Sequence, residues 1–263
     1  MPTRAVLFDL DDTVAVDEAV VREALLATCE RARERHGIEP PELMVSVRRQ
    51  ARQLWHASPM FAYCEAIGIS SWEGLCASFA GDDPNLRSLR AWGPAYRLES
   101  WSRALAEHGA LDSSLAQELA ETFPRERLRG CRVFPETEAV LRNLRSSGYR
   151  LGMITNGAPD LQRAKLEGAG LAPHFDIIVV SGEVGVGKPD PRVFELTLRA
   201  LDVRPSEAVM VGDNPARDVL GAVSAGVRVV WVNRTQAARA GGAAVADAEI
   251  GSLSELADLL LRG

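Results

Sequence analysis

Three carboxylates and a hydroxyl close the stretch Val6-Leu7-Phe8-Asp9-Leu10-Asp11-Asp12-Thr13. The apolar run before them, Ala5 to Phe8, reads as a short buried strand. Acids crowded at one strand end repel each other and are costly to bury uncompensated. A bound cation is the simplest offset, so Asp9 and Asp11 are candidate metal-site residues. Later apolar runs end in the same polar way. Tyr149 to Ile154 runs into Thr155 and Asn156. Phe175 to Val180 runs into a Gly-rich loop that ends at Lys188. Ala208 to Val211 runs into Gly212-Asp213-Asn214-Pro215, with Asp218 one helical turn later.

Acids, a hydroxyl, an amide and an amine in one pocket suit a phosphate ester with a divalent cation. Carboxylate oxygens with few other ligand types favour Mg²⁺. Thr155 and Asn156 can donate to phosphoryl oxygens, and Lys188 can neutralise charge that develops in transfer. A carboxylate in a cationic site can itself attack phosphorus. An acid two residues further on points to the same side of an extended strand, so Asp11 could protonate the leaving oxygen. Singly, each element has a plainer reading. A lone D-x-D caps turns, Thr-Asn-Gly makes a turn, a lysine before proline is solvated, and Gly-Asp-Asn-Pro caps a helix. Four such coincidences in order, each after an apolar strand, are improbable together.

The elements that must position these residues alternate. From Val133 onward helices and strands take turns, which implies right-handed βαβ units and a parallel sheet. Ligands of such sheets bind outside the carboxyl ends of the strands. Between Thr13 and about residue 130 there is no convincing strand. Helices are expected from Asp17 to His36, Pro41 to Trp55, Pro59 to Ile67, Tyr96 to His108 and Asp112 to Phe123, with 68–94 irregular. Ala240 to Val245 is expected to be a loop. The expected fold is therefore α/β: a Rossmann-like doubly wound parallel sheet core of residues 1–14 and 132–263, with an α-helical cap domain, 15–131, inserted after the first strand.

Bulk properties narrow the partners. The chain has 263 residues, with 46% apolar and 25% charged, an ordinary globular composition. Net charge is −6 without a basic block, which argues against nucleic acid or an anionic membrane as partner. No apolar run is long enough to span a bilayer, and no signal-peptide pattern precedes the first strand. Cys29, Cys64, Cys76 and Cys131 are widely spaced and read as isolated reduced thiols. A cytoplasmic protein, monomer or homodimer, is expected.

Asp9-Leu10-Asp11-Asp12-Thr13, Ile154-Thr155-Asn156-Gly157, Gly187-Lys188-Pro189-Asp190-Pro191 and Gly212-Asp213-x-x-x-x-Asp218 together resemble the four motifs of the haloacid dehalogenase superfamily. They are similar to its phosphatases with a helical cap, and more closely to N-acylneuraminate phosphatase-like and nucleotide phosphatase-like members. The resemblance implies that Asp9 is the nucleophile and a Mg²⁺ ligand. It implies that Asp11 is the general acid/base and binds the metal through its backbone carbonyl. Thr155 and Asn156 would bind phosphate, and Lys188 would steady Asp9 and the phosphoryl group. Asp213 would bind the metal, with Asp218 and Asn214 in support. Dehalogenases of the superfamily lack the acid at the position of Asp11, and phosphonate hydrolases also depart there. The expected activity is Mg²⁺-dependent hydrolysis of a small-molecule phosphate ester through an aspartyl-phosphate. Sugar phosphomutases of the β-phosphoglucomutase type keep all four motifs and stay open, as does a low-turnover binding protein on the same fold. Arg48, Arg49, Arg52, Trp55, Trp92 and Arg97 are the cap residues whose types suit a substrate cleft, although tryptophan in a small helical domain is usually core and arginine usually solvated.

Overall fold

The computed structural model describes residues 2–237 and 245–261; most of the loop expected at Ala240 to Val245 lies outside them. The chain divides into two compact units. One takes Met1–Val16, Arg132–Asn156 and Leu166–Gly263, and the other Asp17–Cys131 and Gly157–Lys165.

In chain order, β1 (Ala5–Phe8) is followed by α1 (Glu18–His36), α2 (Pro40–His56), α3 (Phe61–Ile67), α4 (Ser71–Cys76), α5 (Pro84–Glu107) and α6 (Ser113–Arg129). Then come α7 (Thr137–Ser146), β2 (Arg150–Thr155), α8 (Pro159–Gly168), β3 (Ile177–Val180), α9 (Ser181–Val184) and α10 (Pro191–Ala200). β4 (Ala208–Gly212), α11 (Leu220–Ser224), β5 (Arg228–Val232), β6 (Ala248–Ile250) and α12 (Leu256–Leu261) complete the chain.

All strand pairings are parallel, in the order β3-β2-β1-β4-β5-β6. The strands are near-continuous apolar runs because both faces are covered. Alternation divides each strand between two cores. Val6 and Phe8, Val209 and Val211, and Val230 and Val232 pack with Val140, Leu141 and Leu144 of α7. Ala5 and Leu7, Ala208 and Met210, and Val229 and Trp231 pack with Val193, Phe194 and Leu198 of α10. Helices on both faces make this the doubly wound α/β sheet expected from the alternation. The order reverses at β1, between β2 and β4, and ligands of open α/β sheets bind at such a switch point.

The helical unit has its own core, with Leu25 of α1, Leu43, Val47 and Trp55 of α2, Leu89, Tyr96 and Trp101 of α5, and Leu119 and Phe123 of α6. Segment 68–94, expected to be irregular, is largely helical. Ser70 and Glu73 form a capping box that starts α4. Asp83 accepts from Asn85 N and Leu86 N, with Pro84 in the first turn, so α5 begins there and runs on through Pro94. Asp and Pro read as breakers are here start signals. The burial of Leu86, Leu89, Tyr96 and Trp101 carries the helix past the proline. Asp17, expected to cap α1, makes no cap bond and instead pairs with Arg127 and, at 2.9 Å, Lys165.

Residues 157–165 were expected in the α/β core and belong to the helical unit. The reason is polar as well as apolar. Glu73 Oε1 accepts from Ala158 N at 3.2 Å and from Gln162 Nε2 at 3.1 Å, and Asp160 accepts from Ser78 N and Ala80 N. Ala158 and Leu161 fill the helical core. Residues 15 and 16 belong to the α/β unit, where Ala15 bridges Val133 and Val16 N donates to Arg132 O. Cys29, Cys64, Cys76 and Cys131 are free, and burial pushes the thiols of the first three up to about 12. No described helix is long and apolar enough to cross a membrane.

Candidate active site

β1 ends at Phe8, and Asp9 N still donates to Val211 O, so Asp9 sits at the sheet's carboxyl edge. The residue is buried, 7% exposed. The chain then turns sharply. Leu10 O accepts from Val14 N and Ala15 N, Asp12 N donates to Ala15 O, and Asp12 adopts φ 54°. That is left-handed backbone, which Asp tolerates better than most residues. Asp12 is thus the turn residue at the end of the strand. Asp11 is half-buried beyond the end of the strand and pairs with Ala15.

Lys188, delivered by the loop after β3 and α9, is 3% exposed. Its Nζ lies 2.5 Å from Asp9 Oδ1 and 2.7 Å from Asp218 Oδ1. Asn156, one residue past β2, clamps the lysine's main chain. Its Nδ2 donates to Lys188 O and its Oδ1 accepts from Lys188 N, both at 2.8 Å. The expected phosphate donor therefore serves as the lysine's anchor, because its amide matches both backbone groups at once. Gly187 permits the approach: a Cβ there would come within 2.8 Å of the Asn156 amide.

Past β4, Asn214 Oδ1 accepts from Ala216 N and Arg217 N and starts a π-helical turn, Pro215–Val219. Asn214 N donates to Asp218 Oδ2 at 2.9 Å. Gly212 leaves room for that carboxylate, which a Cβ would approach to 2.4 Å. Thr155 is buried, and its hydroxyl has no hydrogen-bond partner among the described residues.

Asp9, Asp213 and Asp218 thus bring one carboxylate oxygen each within 4.8 Å of one another. Asp218, expected only in support, stands as close as the other two. Thr13, to which the sequence alone assigns no role, places its hydroxyl 3.5 Å from both Asp9 Oδ2 and Asp213 Oδ1. Its signal in the sequence was its place directly after the acids. The candidate cap residues mostly serve the helical unit itself. Trp55 is in its core, Trp92 stacks on Tyr96 with centroids 4.7 Å apart, and Arg97 donates to the carbonyls of Gly74 and Ala77. Arg48 lies over Trp72, Arg49 pairs with Glu107, and Arg52 is exposed.

Three acids and one lysine in a dry site set the electrostatics. Burial pushes Asp9 up to about 6, Lys188 pulls it down and Asp218 adds to the rise. Burial first, then Asp9 and Asp218, push Asp213 up to about 9. Burial disfavours the Lys188 ammonium, but Asp218 and Asp9 outweigh it and hold the lysine above its usual range. A clustered all-oxygen donor set with one cation among three acids fits a hard divalent ion.

The family model described as haloacid dehalogenase-like hydrolase matches residues 3–226. The chain is 46% identical over 231 residues to a phosphoserine phosphatase of Thermus thermophilus, covering 88% of this chain and 89% of that protein. It is 34% identical over 168 residues to the pyrimidine 5'-nucleotidase YjjG of Escherichia coli, covering 63% and 70%. In structure it is similar to a 2-haloacid dehalogenase from Pseudomonas syringae pv. tomato DC3000, with 30% identity, TM-score 0.62 and 99% of each chain covered. The site at the switch point and these likenesses agree, and the chain belongs to the haloacid dehalogenase-like hydrolases.

Proposed function

We propose that this protein is a Mg²⁺-dependent phosphomonoesterase that acts on a small phosphorylated metabolite through Asp9. The observation that carries the reading is the Asp9 carboxylate held 2.5 Å from Lys188 Nζ among two further acids. A divalent cation held by Asp9 and Asp213, with Asp218 beside them and the Asp11 carbonyl as a further ligand, would neutralise charge on the phosphoryl group and on the carboxylates themselves.

The chain's own residues divide the remaining work. Asp9 attacks phosphorus and the ester P–O bond breaks, giving an aspartyl-phosphate. Asp11 gives its proton to the leaving oxygen, then takes one from the water that attacks the acyl phosphate, so Asp9 and inorganic phosphate are released. Lys188 faces the charge of Asp9 and of the phosphoryl oxygens, and Asn156 keeps it aimed. The Thr155 hydroxyl, buried without a partner among the described residues, is a donor available for a phosphoryl oxygen.

Release of inorganic phosphate from an aryl phosphate, with Mg²⁺ and then with EDTA, tests the activity. The expected outcome is turnover that chelation stops; no metal-dependent release from any of a panel of phosphoserine, sugar phosphates and nucleotides would reject the reading. Phosphoserine comes first in the panel, because the relative at 46% identity bears that name. Asp9→Asn is expected to abolish turnover while the protein stays folded by circular dichroism.

A further inference from the structure

β5 carries no acid, yet its carboxyl end reaches the main chain on both sides of the acid cluster. Trp231 Nε1 donates to Asp213 O at 2.8 Å. Three residues on, Arg234 Nη2 donates to Thr13 O, also at 2.8 Å. The guanidinium is held from other sides too. Its Nη1 donates to Glu136 Oε1 at 2.8 Å, and its centre lies 3.5 Å over the Phe134 ring. Glu136 is fixed in turn by Ser252 Oγ at 3.1 Å. Arg234 and Glu136 are each only 17% exposed, so this fork is ordered and largely dry.

Thr13 is fully buried. The internal bonds of the turn end on the carbonyls of Leu10 and Ala15, and the Thr13 carbonyl is the one that Arg234 takes. A peptide plane held by its carbonyl narrows the ψ open to its own residue, and with it the directions its Cβ can take. The Arg234 bond thereby narrows where the Thr13 hydroxyl can stand, 3.5 Å from Asp9 and 3.5 Å from Asp213. Losing a group that orients metal-binding carboxylates typically costs about 10–100-fold in metal affinity or activity.

We infer that Arg234 is a positioning residue for the cation site: it locks the Thr13 peptide, and through the Thr13 hydroxyl it sets the spacing of Asp9 and Asp213. This rests on the metal-dependent reading above. The test is titration calorimetry of Mg²⁺ in the absence of substrate, on wild type, Arg234→Ala and Arg234→Lys, each run below its own unfolding temperature. Arg234→Ala is expected to raise the Mg²⁺ Kd about tenfold or more. Arg234→Lys, which keeps a donor but not the fork, is expected to fall between it and the wild type. At saturating Mg²⁺ the remaining loss should appear in kcat with little change in KM. A Kd for Arg234→Ala within about twofold of wild type, with only its Tm reduced, would overturn the inference and leave Arg234 a structural clamp. Should Arg234→Ala not fold, a wild-type Kd in Arg234→Lys overturns it in the same way. No Mg²⁺ binding by the wild type would reject the metal reading itself, and this inference with it.

Discussion

At the scale of single residues, the site is a charge imbalance held in place by hydrogen bonds. Lys188 touches two of the three acids, Asp9 and Asp218, while burial first, then Asp9 and Asp218, push Asp213 up to about 9. Asp213→Asn should therefore act in opposite senses on stability and on function. Without metal at pH 7 to 8 its Tm should rise, because folding no longer has to take up a proton to bury an acid beside two others. The gain is about 2–4 °C for each kcal/mol of that cost removed in a chain of this size. With Mg²⁺ the order should invert, since the variant lacks a ligand and gains little from the ion. Differential scanning calorimetry with EDTA and with Mg²⁺ reads both, and a metal-free Tm below the wild type would show that Asp213 is held by something other than its acidic neighbours. Much of this was readable from residue types: an apolar strand, then Asp9, then a lysine and two more acids after later strands. The place of the Thr13 hydroxyl and the arginine on the Thr13 carbonyl were not, because Thr13 lies 200 residues from Asp213 and 221 from Arg234.

At the scale of elements, local signals were reliable where one physical cause acted and misleading where two competed. β1, β2 and β4 are apolar runs whose register nothing opposes. Segment 68–94 mixes Ser70, Asp83, Pro84, Gly93 and Pro94, residues that end helices in one context and start them in another. Only the packing of Leu86, Leu89 and Tyr96 decides that α5 continues. Residues 157–165 posed a different difficulty. Their place in the helical unit rests on Glu73, a side chain more than 80 residues away in sequence. Glu73 both closes the capping box of α4 and accepts from Ala158 N and Gln162 Nε2. Glu73→Ala should leave those donors buried without this acceptor, at about 1–3 kcal/mol for each group. Urea unfolding should show a lower midpoint with an unchanged slope, while calorimetric Mg²⁺ affinity, which the proposal assigns to the α/β unit, stays as in the wild type. An unchanged midpoint would mean that other contacts suffice to hold 157–165.

At the scale of the whole molecule, the doubly wound sheet concentrates its unfavourable charge at one edge, which ties stability there to pH and, under the proposed function, to the cation. In the metal-free protein Asp9 and Asp213 have folded pKa values raised above the ordinary carboxylate range, to about 6 and about 9. The folded state then binds protons more tightly than the unfolded chain does. The stability these groups contribute is fully present below about pH 4, where the unfolded chain is also protonated, and is lost as pH rises through 6 and on to 9. A bound divalent cation removes the cause by pairing the carboxylates in their ionised form, so the folded pKa values fall and the slope vanishes or reverses. In EDTA, Tm should therefore decline across this window, and in Mg²⁺ it should be flat or rising, with the two curves furthest apart near pH 9. Parallel curves would mean that the cation does not bind at these carboxylates. Curves that separate, but coincide again in Asp213→Asn, would trace the whole effect to the three acids that β1 and β4 bring to one end of the sheet.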